Sequence, residues 1–231
     1  MPKWSGRGES IFTKLPRIGS MVYDALMRGS PMQLHYNDIA IDVTNKLSKG
    51  RLLDVGTGPG RLLQAIHQIN PGLELYGLDI SDAMIKQAQQ NLRGMNVDLR
   101  QGNIRHTDYT DGFFDLVICS GSFYLWDQPV EGLQEVHRFL KKGGTAYLYE
   151  CDRESDRQAL QVGLRKNVRH LNVISKIIGP LAIRQALDAA YSKKEIVDII
   201  KRTRFSSNFA VEDMTLSGLA IWVRATLRKS Q

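Results

Sequence analysis

Arg51-Leu52-Leu53-Asp54-Val55-Gly56-Thr57-Gly58-Pro59-Gly60 decides how this chain is read. A short apolar run closes on an acid, and three glycines at alternate positions follow. A buried parallel strand reads as such an uninterrupted apolar run. The glycines bare the backbone and permit dihedrals that other residues resist. The segment therefore predicts a strand turning sharply into a helix, with a ligand crevice beyond the strand's carboxyl end.

Outward from this point, strand and helix alternate. Leu73 to Asp79 reads as a second strand, and Ser81 caps a helix through Leu92. Residues 97–101 and 114–120 read as the third and fourth strands, and 129–140 as a helix. Lys141-Lys142-Gly143-Gly144 turns into a fifth strand, Thr145 to Glu150. Upstream, Ile39, Val43 and Leu47 recur every four residues and predict a helix over 31–48. Downstream, Ser192 caps a helix to Arg202, and two late strands near 207–214 and 219–227 can pair antiparallel. The pattern predicts an α/β fold of three αβα layers around a mostly parallel seven-stranded sheet with an antiparallel C-terminal edge strand.

One domain is expected over 1–231: N-terminal helices (1–48), a ligand-binding core (49–150), a helical cap (151–190), and a C-terminal helix with edge strands (191–231). Two cysteines, Cys119 and Cys151, at no metal-like spacing argue against a disulfide or zinc framework, and no metal is expected. No apolar run approaches the roughly 20 residues of a membrane span. The N-terminus carries no signal-like apolar stretch, and a cytoplasmic protein is expected.

The net charge of +7 is uneven. Residues 1–50 carry +3, residues 51–150 carry −3 and residues 151–231 carry +7. Basic flanks suit an anionic acceptor, nucleic acid, a membrane surface or simply a solvated face. Val173, Ile174, Ile177, Ile178 and Leu181, with Arg165, Lys166, Arg169 and Lys176 beside them, fit a lid over the core better than a membrane-surface helix.

Asp79 ends the second strand 25 residues after Asp54, where a carboxylate can take both hydroxyls of a ribose. A nucleoside ligand follows from the pair. The glycine spacing is G-x-G-x-G rather than the G-x-G-x-x-G/A of dinucleotide folds, which seat a pyrophosphate on the helix start. No Tyr-x-x-x-Lys pair supports a nicotinamide oxidoreductase. An acid beside the glycines suits a cationic ligand better than a pyrophosphate.

Four motifs in order now carry a resemblance. Leu52 to Gly60, Leu78-Asp79-Ile80-Ser81-Asp82-Ala83-Met84, Phe113 to Ile118, and Val136 to Gly144 resemble the landmarks of class I, Rossmann-like S-adenosylmethionine-dependent methyltransferases of the small-molecule, type 11/25-like group. The resemblance implies S-adenosyl-L-methionine as methyl donor and S-adenosyl-L-homocysteine as product. It implies that Gly56, Thr57, Gly58 and Gly60 line the methionine part beside Asp54. Asp79 would hold the ribose, and Ile80 and Met84 would flank adenine. Asn103-Ile104 stands where the family often has Asp and an apolar residue, and Ser120 and Gly121 would border the methyl group.

Methyl transfer needs orientation and desolvation more than covalent chemistry. Where the acceptor must lose a proton, the candidate bases are His35, Tyr23, Tyr124, Glu150 and Asp152. His35 lies in phase with Ile39 and Val43, which also suits a structural histidine. Tyr124 and Trp126 fall on a loop expected to overhang the site. No Asn/Asp-Pro-Pro-Tyr/Phe follows the fourth strand, Cys119 sits inside an apolar strand, and no aromatic-rich basic module marks nucleic-acid binding. A small-molecule acceptor is expected, enclosed by the N-terminal helices and 151–190. A non-catalytic donor-binding or partner-binding module is the alternative from another class. Oligomeric state is not legible.

Overall fold

The computed structural model describes residues 31–158, 160 and 187–231. Tyr23 and the stripe at 164–181 lie outside the described residues.

Helix α1 (Pro31–Thr44) leads to strand β1 (Gly50–Val55), helix α2 (Arg61–Ile69) and strand β2 (Leu73–Asp79). Helix α3 (Asp82–Asn91), strand β3 (Val97–Gln101) and strand β4 (Phe114–Ser120) follow. A single 3₁₀ turn, Phe123–Leu125, precedes helix α4 (Pro129–Phe139) and strand β5 (Leu140–Cys151). The chain closes with helix α5 (Lys193–Ile200) and strands β6 (Phe209–Leu216) and β7 (Leu219–Arg228).

The strands form one seven-stranded sheet in the order β3-β2-β1-β4-β5-β7-β6. The first five strands in this order pair parallel, and β7 runs antiparallel to both β5 and β6. The C-terminal strand is thus the antiparallel one, inserted between β5 and β6 so that the hairpin closes the edge. The order reverses at β1 and β4, which opens a crevice above their carboxyl ends.

Period-two alternation splits the sheet's side chains between two cores. On one face Leu52, Leu75, Leu116, Ile118, Tyr149 and Trp222 pack beneath α1, α2 and α3. On the other, Leu53, Val117, Cys119, Leu148 and Val223 pack beneath α4 and α5. Phe114, Phe139 and Tyr109 meet edge-to-face at that second core's base, an arrangement aromatic rings favour.

Capping follows the sequence. The Ser81 hydroxyl accepts from Met84 N at 3.4 Å, and Ser192 with Glu195 forms a reciprocal capping box on α5. Strand β5 departs from its expected start. Leu140 already pairs with Phe114, while Thr145 pairs with Leu116, so Lys141–Gly144 bulge out between them. Gly143, at φ 76°, turns its N–H to Lys229 O. Lys141 Nζ reaches Asp115 Oδ1 at 2.6 Å. The expected turn is therefore a bulge inside a longer strand.

One polar knot ties α1 to the sheet. Asp42 accepts from Tyr149 Oη at 2.6 Å and pairs with Arg224 and Lys46. Burial alone would raise the Asp42 pKa, but the hydrogen bonds from Arg224, Lys46 and Tyr149 outweigh it and hold the carboxyl below its ordinary value. A carboxyl held low stabilises the fold above its unfolded pKa, and that contribution fades as pH falls through the folded value. Tyr149→Phe is expected to cost about 1.5–3 kcal/mol at neutral pH, the worth of a hydrogen bond to a charged group. Denaturant melts should show the difference from wild type shrinking toward pH 3.

Candidate functional site

The glycine turn is built by contacts that only some of its glycines make. Gly56, at φ 74°, sits against Ser122, and a Cβ there would lie 2.1 Å from Ser122 Oγ. That hydroxyl donates to Val55 O at 2.9 Å and lies 3.0 Å from Cys119 Sγ, locking the end of β1 to the turn after β4. Gly60, at φ 76°, lets α3 approach, since a Cβ would meet Leu92 Cδ1 at 2.7 Å. Gly58 differs. At φ 53° it faces open space, with nothing within 4 Å of a Cβ. Gly121, at φ 62°, opens in the same way beyond β4. These two bare turns face the crevice.

Asp79 joins the two strand ends. Its Oδ2 accepts from Gly58 N at 2.8 Å and its Oδ1 from Ser81 N at 2.9 Å. Burial raises its pKa, and the two backbone donors oppose that. A carboxylate has about four lone-pair sites, so each oxygen keeps one for an incoming hydroxyl. Next to it, Ile80 leaves an apolar side chain 51% exposed. Met84 and Ile104 are buried.

Asp54 is 2% exposed under the same turn. Burial pushes its pKa up to about 7; the Thr57 hydroxyl works against the rise and the neighbouring Asp79 charge adds to it. Glu150 is equally buried and is pushed up to about 8 by burial, opposed by the backbone N–H groups of Phe123 and Ser122. Its Oε1 accepts from Phe123 N at 2.7 Å, so this carboxyl props the turn that carries Gly121. Ser120 Oγ is buried without a hydrogen-bond partner. Such an orphan asks for a ligand or water.

The remaining sequence candidates are distributed as follows. Asn103 Oδ1 accepts from Arg105 N at 3.0 Å, closing an Asx turn and leaving its amide N–H₂ outward. Asp152 Oδ1 accepts from Lys193 N and Glu154 N and organises the entry to α5. Tyr124 is half-buried in the 3₁₀ turn. Trp126 turns inward rather than overhanging, 5.1 Å from the Phe123 ring and pressed on Gly132. Burial drives the His35 pKa down to about 3, and its ring lies 4.8 Å from Trp222. Cys119 is buried, its thiol pKa pushed well up by desolvation. Sequence reasoning missed Ser122 and Trp222. The Ser120-Gly121-Ser122 run could have revealed the first, and the face that Trp222 shares with Arg224 in β7 the second.

Residues 46–204 match the family described as a methyltransferase domain. The chain belongs to this family. Its Rossmann-like sheet is the fold of the solved methyltransferases it superimposes on. The uncharacterized methyltransferase YdaC of Bacillus subtilis is 33% identical over 105 residues, 46% of this chain and 58% of its own length. The 2-methyl-6-phytyl-1,4-hydroquinone methyltransferase 1 of Oryza sativa is 30% identical over 135 residues, 57% of this chain and 40% of its own. The chain thus spans between 40% and 58% of these two relatives. Among solved structures, the plantazolicin methyltransferase BpumL, in complex with a desmethyl analogue and S-adenosylhomocysteine, superimposes at TM-score 0.70 with 16% identity, covering 99% of this chain and 95% of that one. A methyltransferase from Methanococcus maripaludis gives 0.62 at 20% identity, with 97% of each chain covered. At these identities the structures establish the fold.

Two bare left-handed glycines, an oriented carboxylate, an exposed apolar flank and an orphaned serine have the chemistry to seat a nucleoside. The glycines should separate folding from binding. Gly58→Ala is expected to cost only the left-handed penalty of about 1–2 kcal/mol and to weaken S-adenosylhomocysteine binding. Gly56→Ala should destabilise by more, because it also displaces Ser122. Thermal melts and calorimetry on the two variants check the contrast.

Proposed function

We propose that this chain transfers a methyl group from S-adenosylmethionine to a small-molecule acceptor by in-line displacement. The observation that supports this reading most strongly is Asp79, gripped by two backbone donors beside the open turn at Gly58. S-adenosylmethionine would supply a methyl on a cationic sulfonium, which departs as a neutral thioether when the acceptor's lone pair takes the carbon. Asp79 would hold the ribose hydroxyls, and Ile80 would cover one face of the adenine. Asn103 would present an N–H to the base, where an acid would accept. Gly58 would let the backbone meet the methionine part above Asp54. Ser120 and Gly121 would border the transferred carbon.

The matched relatives of Oryza sativa and Chlorobaculum parvum are named for a hydroquinone and a demethylmenaquinone, which favours a small organic molecule. Uneven positive charge in the flanks would favour an anionic one. His35, neutral in its buried place, Glu150 and Tyr124 are the described groups that a proton-losing acceptor could use.

Calorimetry with S-adenosylmethionine, S-adenosylhomocysteine and NAD tests the donor. The first two should bind and NAD should not, and Asp79→Ala should weaken both by about 1–3 kcal/mol. Unchanged affinity in Asp79→Ala would remove the ribose assignment. Turnover of labelled donor with a metabolite library then separates an enzyme from a binding module.

Asp54 adds a pH signature. At pH 3 its carboxyl is protonated in the folded and mostly protonated in the unfolded chain, whose ordinary value is 3.8. As pH rises the unfolded carboxyl ionises first, so ligand-free stability falls until pH passes the folded pKa of about 7. A cationic amino acid end nearby would favour the ionised form. Donor binding near pH 6.5 should therefore release a proton, read from binding heats in buffers of different ionisation enthalpy. Asp54→Asn should abolish that release.

A further inference from the structure

Trp222 Nε1 is buried, in a residue 5% exposed, and has no hydrogen-bond partner. An indole N–H can only donate, so burying it unpaired costs free energy unless something else accepts from it. The register locates it. Trp222 pairs with Cys151, two residues beyond Tyr149, and Tyr149 pairs with Ser120 at the end of β4. Ser120, at the carboxyl end of β4, and Trp222, near the amino end of the antiparallel β7, therefore flank the carboxyl end of β5, on the same end of the sheet as the glycine turn. Trp222 shares its face with Tyr149 and Ile118, and alternation puts Ser120 on that face too.

Two buried polar groups with nothing to bind thus flank β5 at a separation on the order of 10 Å, two strand spacings. Aromatic walls line the Trp222 end. The His35 ring lies 4.8 Å from Trp222 and 4.4 Å from Tyr36. Apolar aromatic surface with one unspent donor suits a flat ring carrying an oxygen.

We propose that Trp222 is an acceptor-positioning residue: its indole N–H receives the oxygen of a planar aromatic acceptor whose ring packs on Trp222 and His35, while the end to be methylated lies toward Ser120. The proposal rests on the donor reading above and names the acceptor class for that same site.

The test uses the whole chain saturated with S-adenosylhomocysteine and labelled with ¹⁵N. The probe is 1-naphthol, with naphthalene as the oxygen-free control. The chain has three indoles, and Trp222→Phe identifies one resonance by its loss while keeping an aromatic ring. With 1-naphthol the Trp222 indole proton should move downfield and saturate, and naphthalene should bind about three- to tenfold more weakly, the ordinary worth of one neutral hydrogen bond. Trp222→Phe should bring 1-naphthol down to the naphthalene level, with S-adenosylhomocysteine affinity unchanged. A Trp222 resonance that stays put at saturation, unaltered affinity in Trp222→Phe, or no 1-naphthol binding would each overturn the proposal. If Trp222→Phe does not fold, the wild-type resonance and the naphthalene comparison decide alone. Failure of S-adenosylhomocysteine itself to bind would instead strike the donor reading.

Discussion

The Asp79 carboxylate accepting from Gly58 N and Ser81 N is the contact on which the site depends. It fixes the turn after β1 to the end of β2, so the crevice keeps its shape without a ligand. The arrangement costs desolvation, visible in the raised pKa values of Asp79 and of the neighbouring Asp54. Two carboxyls under one turn oppose each other when both are ionised. A cationic ligand relieves that opposition, whereas a pyrophosphate would aggravate it. Charge and backbone geometry thus agree on the kind of ligand the turn accommodates.

A second set of contacts frames the other side of the crevice. Ser122 bonds to Val55 O, and Glu150 holds the backbone of Phe123, so the turn bearing Gly121 is anchored to both β1 and β5. The Asp42 knot with Tyr149 and Arg224 fastens α1 over β5 and β7. The turn bearing Gly121 is therefore braced from strands on both sides. Preorganisation of that kind is what a displacement needing orientation more than acid–base chemistry requires.

The parallel core was legible because its strands are short apolar runs with glycine or capping serine at their ends. Residues 73–79, 97–101 and 114–120 have the boundaries that the pattern predicts. The start of β5 was not, since Lys141–Gly144 reads as a turn locally and only pairing of Leu140 with Phe114 turns it into a bulge. The place of β7 inside the edge hairpin also depends on long-range pairing. In the site, Asp79 and the glycines carry their own signal. Asn103 shows the limit: its residue type leaves the amide's orientation open, and the contact with Arg105 N settles which end faces outward. Trp126 followed the same rule, as the space over Gly132 drew it into the core.

A crystal structure of the chain with S-adenosylhomocysteine tests the central claim most directly. The account predicts both ribose hydroxyls on Asp79, the amino acid end over Gly58 and the sulfur beside Ser120. A sugar bound away from Asp79, or density for the nucleoside outside this crevice, would contradict it.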